Sequence, residues 1–380
     1  MSRSSNDRFV NSDRHASYRS GEREVSTSEQ GELVDAVLQS ISYSAEIASL
    51  IYGIYPVRRL LNSFRLLTDR KEQGLNGSMQ FTYRNPERST SPNRIIEGAK
   101  SIVTFALPID VYEAEGDLIF PHLLSRYARR DYYGILRNEL EEIRSSLLRM
   151  GVNSKVVLDS NELIDKEVAV RSGVGSYLKN SLVNVTGFGS ATVIGSIVTD
   201  VNLPRTPVRD RLVSCGRCQI CIDSCPTSAI GSSGSIDARR CISWLLQSPE
   251  EIDPRFLAAI GTRLYGCDLC QDVCPINRSS ATTNGDDITT VDAMAKEILQ
   301  IFSSSDSAIL ELLSHLYIYK RDARLIRRNA IIVAANLGAS SNHESDILAW
   351  IDRLNSSDTF YRPYVDYFFE SRAQGFSRWS

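Results

Sequence analysis

No stretch of this 380-residue chain approaches the 18 or more apolar residues of a membrane span, and the run Ile331 to Leu337 is far too short. The chain also lacks an excess of either charge: 43 Lys and Arg stand against 46 Asp and Glu, a formal net of -3. That excludes binding to nucleic acid through overall positive charge and leaves only a local basic face. A secretory leader is missing as well. The Ser- and Arg-rich first 30 residues carry Asp7, Asp13, Glu22 and Glu24 and no apolar core. An organellar presequence would avoid those acids, so the expectation is a polar, disordered tail on a cytoplasmic protein with no membrane contact. Cysteine is absent from most of the chain, for all eight lie between Cys215 and Cys274. Dispersed thiols or a disulfide scaffold would not cluster so, and a chain that is 42% apolar has core enough without disulfides. These cysteines are ligands.

Composition and periodicity divide the rest. Residues 1–40 read as the tail. From 41 to 205, β-rich runs (Ser101 to Leu107, Lys155 to Leu158, Ala191 to Val198) alternate with helical patterns such as Tyr133 to Met150. That alternation predicts an α/β or α+β layer domain. Residues 206–285 hold the cysteines. From 286 to 380 apolar residues recur at helical spacing. Arg324 to Gly338 has a basic start, an alanine-rich body and a glycine stop, and a second helix is expected over Glu344 to Leu354. Stacked helical hairpins of the HEAT type fit this region, without a clear repeat period. Arg321, Arg324, Arg327 and Arg328, with Tyr317, Tyr319 and Lys320 beside them, form its candidate RNA face.

The cysteine spacing carries the chemistry. Cys215-Gly-Arg-Cys218-Gln-Ile-Cys221-Ile-Asp-Ser-Cys225-Pro226 is C-x2-C-x2-C-x3-C-P, the bacterial ferredoxin run, whose fourth cysteine serves the neighbouring cluster. The partner half is altered: Cys241 stands alone before Cys267-Asp-Leu-Cys270-Gln-Asp-Val-Cys274-Pro275. The crossing rule assigns Cys215, Cys218, Cys221 and Cys274 to one 4Fe-4S cluster, and Cys225, Cys241, Cys267 and Cys270 to a second. Paired C-x2-C units also suit zinc, but zinc does not explain an x3-C-P ending that occurs twice. Two such clusters move single electrons, so the domain in front must hold the acceptor. No G-x-G-x-x-G follows a strand, which leaves a nicotinamide site unsupported. D-x-H-x-x-G, the mark of histidine-ligated cobalt, is absent too.

With these blocks in hand, the chain resembles the epoxyqueuosine reductase family. The likeness rests on Cys215 to Ile230, Asp237-Ala-Arg-Arg-Cys241-Ile-Ser243 and Leu264-Tyr-Gly-Cys-Asp-Leu-Cys270 with Cys274-Pro275. It extends to Arg126-Tyr-Ala-Arg-Arg-Asp-Tyr132, Asp159-Ser-Asn-Glu-Leu163, Arg171-Ser-Gly-Val-Gly175, Lys179-Asn180 and Gly195 to Asp200, and to the Arg327-Arg-Asn329-Ala330 helix. It spans roughly residues 45 to 340.

The resemblance implies a monomeric cobalamin enzyme with two 4Fe-4S clusters, its front domain related to reductive dehalogenases. The reaction implied removes the epoxide oxygen from a cyclopentane ring on a tRNA wobble base, the last step of queuosine synthesis. An external one-electron donor such as flavodoxin or ferredoxin is also implied. Cobalamin is expected base-off, in keeping with only four histidines, none of them in a motif block. The family's proton donor falls on Asp159, which alone would read as a cap on the following helix. Corrin-contacting positions fall on Arg88, Ser125, Asp159, Val183, Ile194, Ser243, Gly266, Cys267 and Asp268. Three positions depart from the family: Lys166 replaces an arginine, Tyr133 replaces a histidine, and Pro249 lies where relatives carry a lysine near the RNA. Lysine keeps the charge but loses the planar two-pronged donor. These departures leave open a second reading, a cobalamin and iron–sulfur paralogue acting on another substrate in the manner of a reductive dehalogenase. A third, an electron-transfer ferredoxin fusion, leaves the front domain without a job.

Overall fold

The expected tail gives way at Thr27 to a helix, α1 (Thr27–Ile47). Val37, Ile41 and Ala45, spaced four apart, form a buried stripe on it. Judging residues 1–40 by their polar composition hid that stripe. The computed structural model describes residues 27–109, 118–207, 215–277, 288–338 and 342–374, so the first part of the expected tail lies outside the described residues.

The front domain is built on four strands: β1 (Ile51–Pro56), β2 (Ser101–Pro108), β3 (Ser154–Leu158) and β6 (Thr192–Thr199). They run in the order β1-β2-β6-β3, and every neighbouring pair is antiparallel. Of the two expected classes the fold is therefore α+β. The central strands β2 and β6 are buried almost throughout because helices cover both faces. On one face α3 (Tyr132–Arg149) sets Leu136, Leu140, Ile143 and Leu147 against Phe105, Leu107, Val193 and Ile197. Gly195 permits that close fit, since a Cβ there would stand 2.5 Å from Leu158 Cδ1 and 2.9 Å from Leu140 Cδ1. On the other face Ile102, Val157 and Val198 meet Leu163 and Val168, the latter from α4 (Asp165–Arg171). A short hairpin, β4 (Gly175–Tyr177) with β5 (Val183–Val185), follows α4 and reaches toward the cysteines. Helix α2 (Leu61–Glu72) lies between β1 and β2 in sequence.

The cysteine segment carries only short turns of helix and one longer element, α5 (Pro254–Ile260). It does not form a core of its own. Ile242, Leu246, Leu257, Ile260 and Leu264 share one apolar cluster with Ile298, Phe302, Ile331, Ile332 and Phe368 of the helices that follow. The boundary expected at 285/286 thus divides motifs, not cores. The helices are α6 (Ile288–Ser303), α7 (Asp306–Leu312), α8 (Arg324–Leu337), α9 (Glu344–Ser357) and α10 (Arg362–Ala373). Helix α8 lies at their centre against α6 and α10, and Gly338 ends it with φ +76.

Of the arginines expected to form a basic face at the start of α8, Arg327 and Arg328 are withdrawn from solvent while Arg321 and Arg324 stay exposed. Arg328 is fully buried, its guanidinium donating to the carbonyls of Ser248 (2.9 Å), Glu250 (3.1 Å), Leu245 (3.2 Å) and Leu246 (3.3 Å). Arg324 pairs with Asp322 and Asp358, Arg327 with Asp306, and Arg321 donates to the carbonyls of Leu310 and Leu316. The buried Arg328 guanidinium answers internal carbonyls, a demand that a one-dimensional count of charges does not reveal. Among the described residues no helix is long and apolar enough to cross a membrane.

Candidate active site

Three clamps hold the cysteine segment against the front domain. The first is a short parallel bridge in which Leu264 N–H donates to Leu123 O (2.9 Å) and Ser125 N–H to Tyr265 O (3.0 Å). It forces Gly266 into φ +76 beside Ser125, where a Cβ would stand 1.9 Å from Ser125 Oγ. Only glycine fits that approach. In the second, Arg126 N–H donates to Asp268 Oδ2 at 2.7 Å, and the buried Arg126 guanidinium lies 3.3 Å from Asp272 Oδ1. The third comes from the β4–β5 turn. Lys179 Nζ donates to the carbonyls of Gly216 (3.0 Å) and Cys218 (2.8 Å), and Asn180 Nδ2 to that of Cys270 (3.2 Å).

The thiols gather in two neighbourhoods. Cys215, Cys274 and Cys218 neighbour Cys221, while Cys225 lies beside Cys241, and Cys267 and Cys241, with Cys221 of the first set, beside Cys270. Among the described residues no three His, Cys, Asp or Glu converge tightly enough for a single metal ion. Backbone amides point at the sulfurs: Lys179 N–H at Cys215 and Ala229 N–H at Cys225 (both 3.3 Å), Ser243 and Trp244 at Cys241, and Leu269 at Cys267. Such donors stabilise a negatively charged iron–sulfur cluster and raise its reduction potential. As free thiols, Cys267 and Cys270 are pushed up by burial, Cys267 to about 11. A bound metal deprotonates such sulfurs outright, so the donor set fits clusters.

A cavity of about 740 Å³ opens between the front domain and these thiols. Cys225, Cys241, Cys267 and Cys270 all line it, with Cys215, Ser243, Asp268, Tyr127, Lys166 and Arg70. Leu66, Leu67, Leu75, Met79, Ile164, Leu178 and Leu182 supply apolar wall. The size and the mostly apolar wall suit a large planar cofactor. Ser125 Oγ, buried with no partner among the described residues, is a polar atom awaiting one. Among the described residues no histidine lines the cavity: His122 pairs with Glu297, His315 Nε2 lies 2.9 Å from Ala128 O, and His343 stands at the start of α9. His15 lies outside the described residues. The cavity's size, its apolar wall and the unpartnered Ser125 Oγ fit cobalamin.

Asp159 ends β3 in a left-handed turn, φ +44. It caps no helix, because α4 begins only at Asp165 and has Ile164 at its cap. Its side chain is reached by solvent yet enclosed on several sides, and this loss of water raises its carboxyl above the ordinary range, opposed by Arg137. Around it stand Tyr127, Tyr133, Tyr265 and Asp165, each of which feels its charge. Burial raises all three tyrosines, so they remain neutral hydrogen-bonding groups; Tyr127 bonds Ser243 and Tyr265 donates to Tyr317 O at 2.8 Å.

The other expected contacts scatter. Ser125, Ser243, Gly266, Cys267 and Asp268 come together beside the cavity. Val183 and Ile194 are buried in an apolar cluster with Ala106, Ala169, Val174 and Val185. Arg88 is exposed and bonds Glu162 at 2.8 Å. Of the departures, Tyr133 reaches Asp159, Lys166 donates to Ser181 O at 3.0 Å, and Pro249 sits between the two carbonyls, Ser248 and Glu250, that Arg328 holds. Sequence reasoning missed Tyr127, Tyr265 and Asp165. The first two lie inside quoted motif blocks, and nothing in the local pattern marks Asp165.

The family model of the 4Fe-4S double cluster binding domain matches residues 214–277. The epoxyqueuosine reductase of Bacillus subtilis (strain 168) is 30% identical over 298 residues, covering 74% of this chain and 75% of its own. That of Aliivibrio fischeri is 32% identical over 295 residues, covering 74% and 77%. The solved epoxyqueuosine reductase of Streptococcus thermophilus superposes with a TM-score of 0.73 at 26% identity, over 89% of this chain and 90% of that one. A second, solved with an epoxyqueuosine-modified tRNA-Tyr stem loop, shares the fold with a TM-score of 0.72 at 23% identity, over 89% and 90%. With cysteine spacing, fold and overall sequence in agreement, the chain belongs to the epoxyqueuosine reductase family.

Proposed function

We propose that this protein reduces epoxyqueuosine to queuosine at the wobble position of tRNA, with electrons passing through two 4Fe-4S clusters to cobalamin in the cavity. The observation that carries the reading is a cavity that four thiols of one neighbourhood line together, with Tyr127 on its wall feeling the charge of an acid of raised pKa, Asp159. Turning an epoxide into an alkene takes two electrons and two protons and releases water. Cobalamin, when bound, supplies reduced cobalt, a strong nucleophile toward strained carbon.

The chain's own residues do the rest. Cys215, Cys218, Cys221 and Cys274 hold the outer cluster, and Cys225, Cys241, Cys267 and Cys270 the one against the cavity. Ser125, Ser243, Gly266, Cys267 and Asp268 would hold the corrin or stand beside it, whereas Val183, Ile194 and Arg88, expected there too, do not line the cavity. Asp159 protonates the leaving oxygen, which would otherwise depart as an alkoxide, and the partial loss of water around it lets it keep that proton to a higher pH than an ordinary aspartate. The functional units are 41–205 for catalysis, 206–285 for the clusters and 286–380 as a HEAT-like helical array. Since Arg328 is buried, the RNA face is left to the exposed Tyr317, Lys320, Arg321 and Arg324. The protein works as a monomer and draws electrons from a flavodoxin or ferredoxin. Lys166 in place of arginine favours the second reading, another substrate for the same redox centre. The deciding measurement is the tRNA of a deletion strain: accumulated epoxyqueuosine supports the proposal, and a normal queuosine content overturns it.

A further inference from the structure

Among the described residues three cations line the cavity beside the thiols: Arg70, Lys166 and Lys179. Two of them already have acceptors, Lys179 Nζ the carbonyls of Gly216 and Cys218, and Lys166 Nζ that of Ser181. Arg70 has none. It stands half-buried in the last turn of α2, and its guanidinium makes no hydrogen bond or ion pair with any described residue. The end of a helix favours a cation, but Lys71 in the same turn is exposed, lies off the cavity and already serves that end. The two acids on the lining do not answer Arg70, because both are held elsewhere. Glu167 accepts from Arg171 Nε (2.7 Å) and from the Tyr177 hydroxyl (3.3 Å). Asp268 accepts from the Arg126 N–H (2.7 Å) and from Gln271 Nε2 (3.0 Å). Leu66, Leu67 and Leu75, on α2 and the turn after it, make the lining there apolar. A guanidinium keeps its charge at any pH a protein meets, and a cation partly shielded from water beside an apolar wall calls for an anion.

We propose that Arg70 is the anchor for a phosphodiester group of a ligand in this cavity. The planar fork of a guanidinium matches two phosphate oxygens, and such charge-assisted pairs are the strong ones. This assignment rests on the functional reading above. Both ligands of that reading carry the group: cobalamin has a single phosphodiester, in its nucleotide tail, and RNA has one at every step of its backbone. A corrin without the tail offers no phosphate, which makes the two sources separable.

Arg70→Met keeps the length of the side chain and removes its charge and its donors. Cluster-loaded wild type and variant, matched for iron content, are titrated with three probes. These are cobalamin, cobinamide (the corrin without nucleotide tail or phosphate) and an anticodon stem loop at several salt concentrations. Cobalt absorbance follows the first two. If the cofactor's tail is the source, Arg70→Met should bind cobalamin about 10- to 100-fold more weakly, the worth of hydrogen bonds to a charged group, and cobinamide as before. If RNA is the source, both corrins should bind as in wild type, while the stem loop binds more weakly and its salt slope falls by about one contact. Arg70→Lys should recover part of either loss, since it keeps the charge without the fork. Wild-type affinity of Arg70→Met for all three probes would overturn the proposal. So would an equal loss for cobalamin and cobinamide with the stem loop unaffected, because Arg70 would then only shape the wall. Should Arg70→Met fail to hold its clusters, Arg70→Gln takes the same titrations, with the same outcomes deciding. A wild type that binds neither corrin nor stem loop would take down the functional reading and this assignment with it, whereas an absent Arg70 effect takes down the assignment alone.

Discussion

At the residue scale, the strain at Asp159 and its raised pKa have one origin, a turn that carries a carboxyl into a partly enclosed space beside β3. Asp159→Asn preserves shape and hydrogen-bonding capacity while removing the proton. Turnover should fall by about 10²–10⁴-fold, the worth of a positioned general acid. Cobalamin binding and cobalt reduction should persist, since neither uses that proton. A single-turnover assay beside a cobalt absorbance trace checks both, and near-normal turnover would return the donor role to Tyr133 or Lys166. The pH dependence follows from the sign of the shift. A general acid works while protonated, and raising its pKa moves the loss of activity upward. In wild type the single-turnover rate should therefore fall as the pH rises through a value above the usual carboxylate range. An alkaline limb at the pKa of an ordinary exposed aspartate would show that the enclosure has no effect on the chemistry.

At the element scale, strands and helices were legible where one periodicity dominates. β2, β3 and β6 and helices α3, α8 and α9 lie within a few residues of their expected bounds, because alternation and the 3.6-residue stripe are written locally. Function was less legible where partners are distant. The basic start of α8 looked like an RNA face, but Arg328 spends its charge on carbonyls some eighty positions back. Those carbonyls follow Cys241, so α8 supports the loop that carries a cluster ligand. Arg328→Ala strands several buried carbonyls at about 1–3 kcal/mol each. A loss of at least about 3 kcal/mol is expected, read as a lower denaturant midpoint together with reduced iron content. A midpoint equal to wild type would mean that water replaces the guanidinium without penalty.

At the scale of the whole molecule, the two thiol neighbourhoods are not equivalent. Cys225, Cys241, Cys267 and Cys270 all face the cavity, whereas only Cys215 of the other set does. The spacing made eight ligands legible, but not which set touches the acceptor, since that depends on the bridge between residues 123–125 and 264–266. The proposed direction of electron flow is from the outer cluster to the inner one and then to the cavity. Wild-type protein prepared without oxygen should hold about eight irons, four to each cluster. Cys241→Ser should hold about four, and the remaining cluster should still reduce with a chemical donor. Because the lost cluster is the one against the cavity, added cobalamin should bind but be reduced far more slowly than in wild type. Cys218→Ser removes a ligand of the other set, and there a small reductant able to reach the inner cluster should still reduce the cobalt. Iron analysis with electron paramagnetic resonance tells the two variants apart. Loss of both clusters from a folded Cys241→Ser protein would overturn the partition, and cobalt reduced at the wild-type rate in that variant would overturn the order of electron flow.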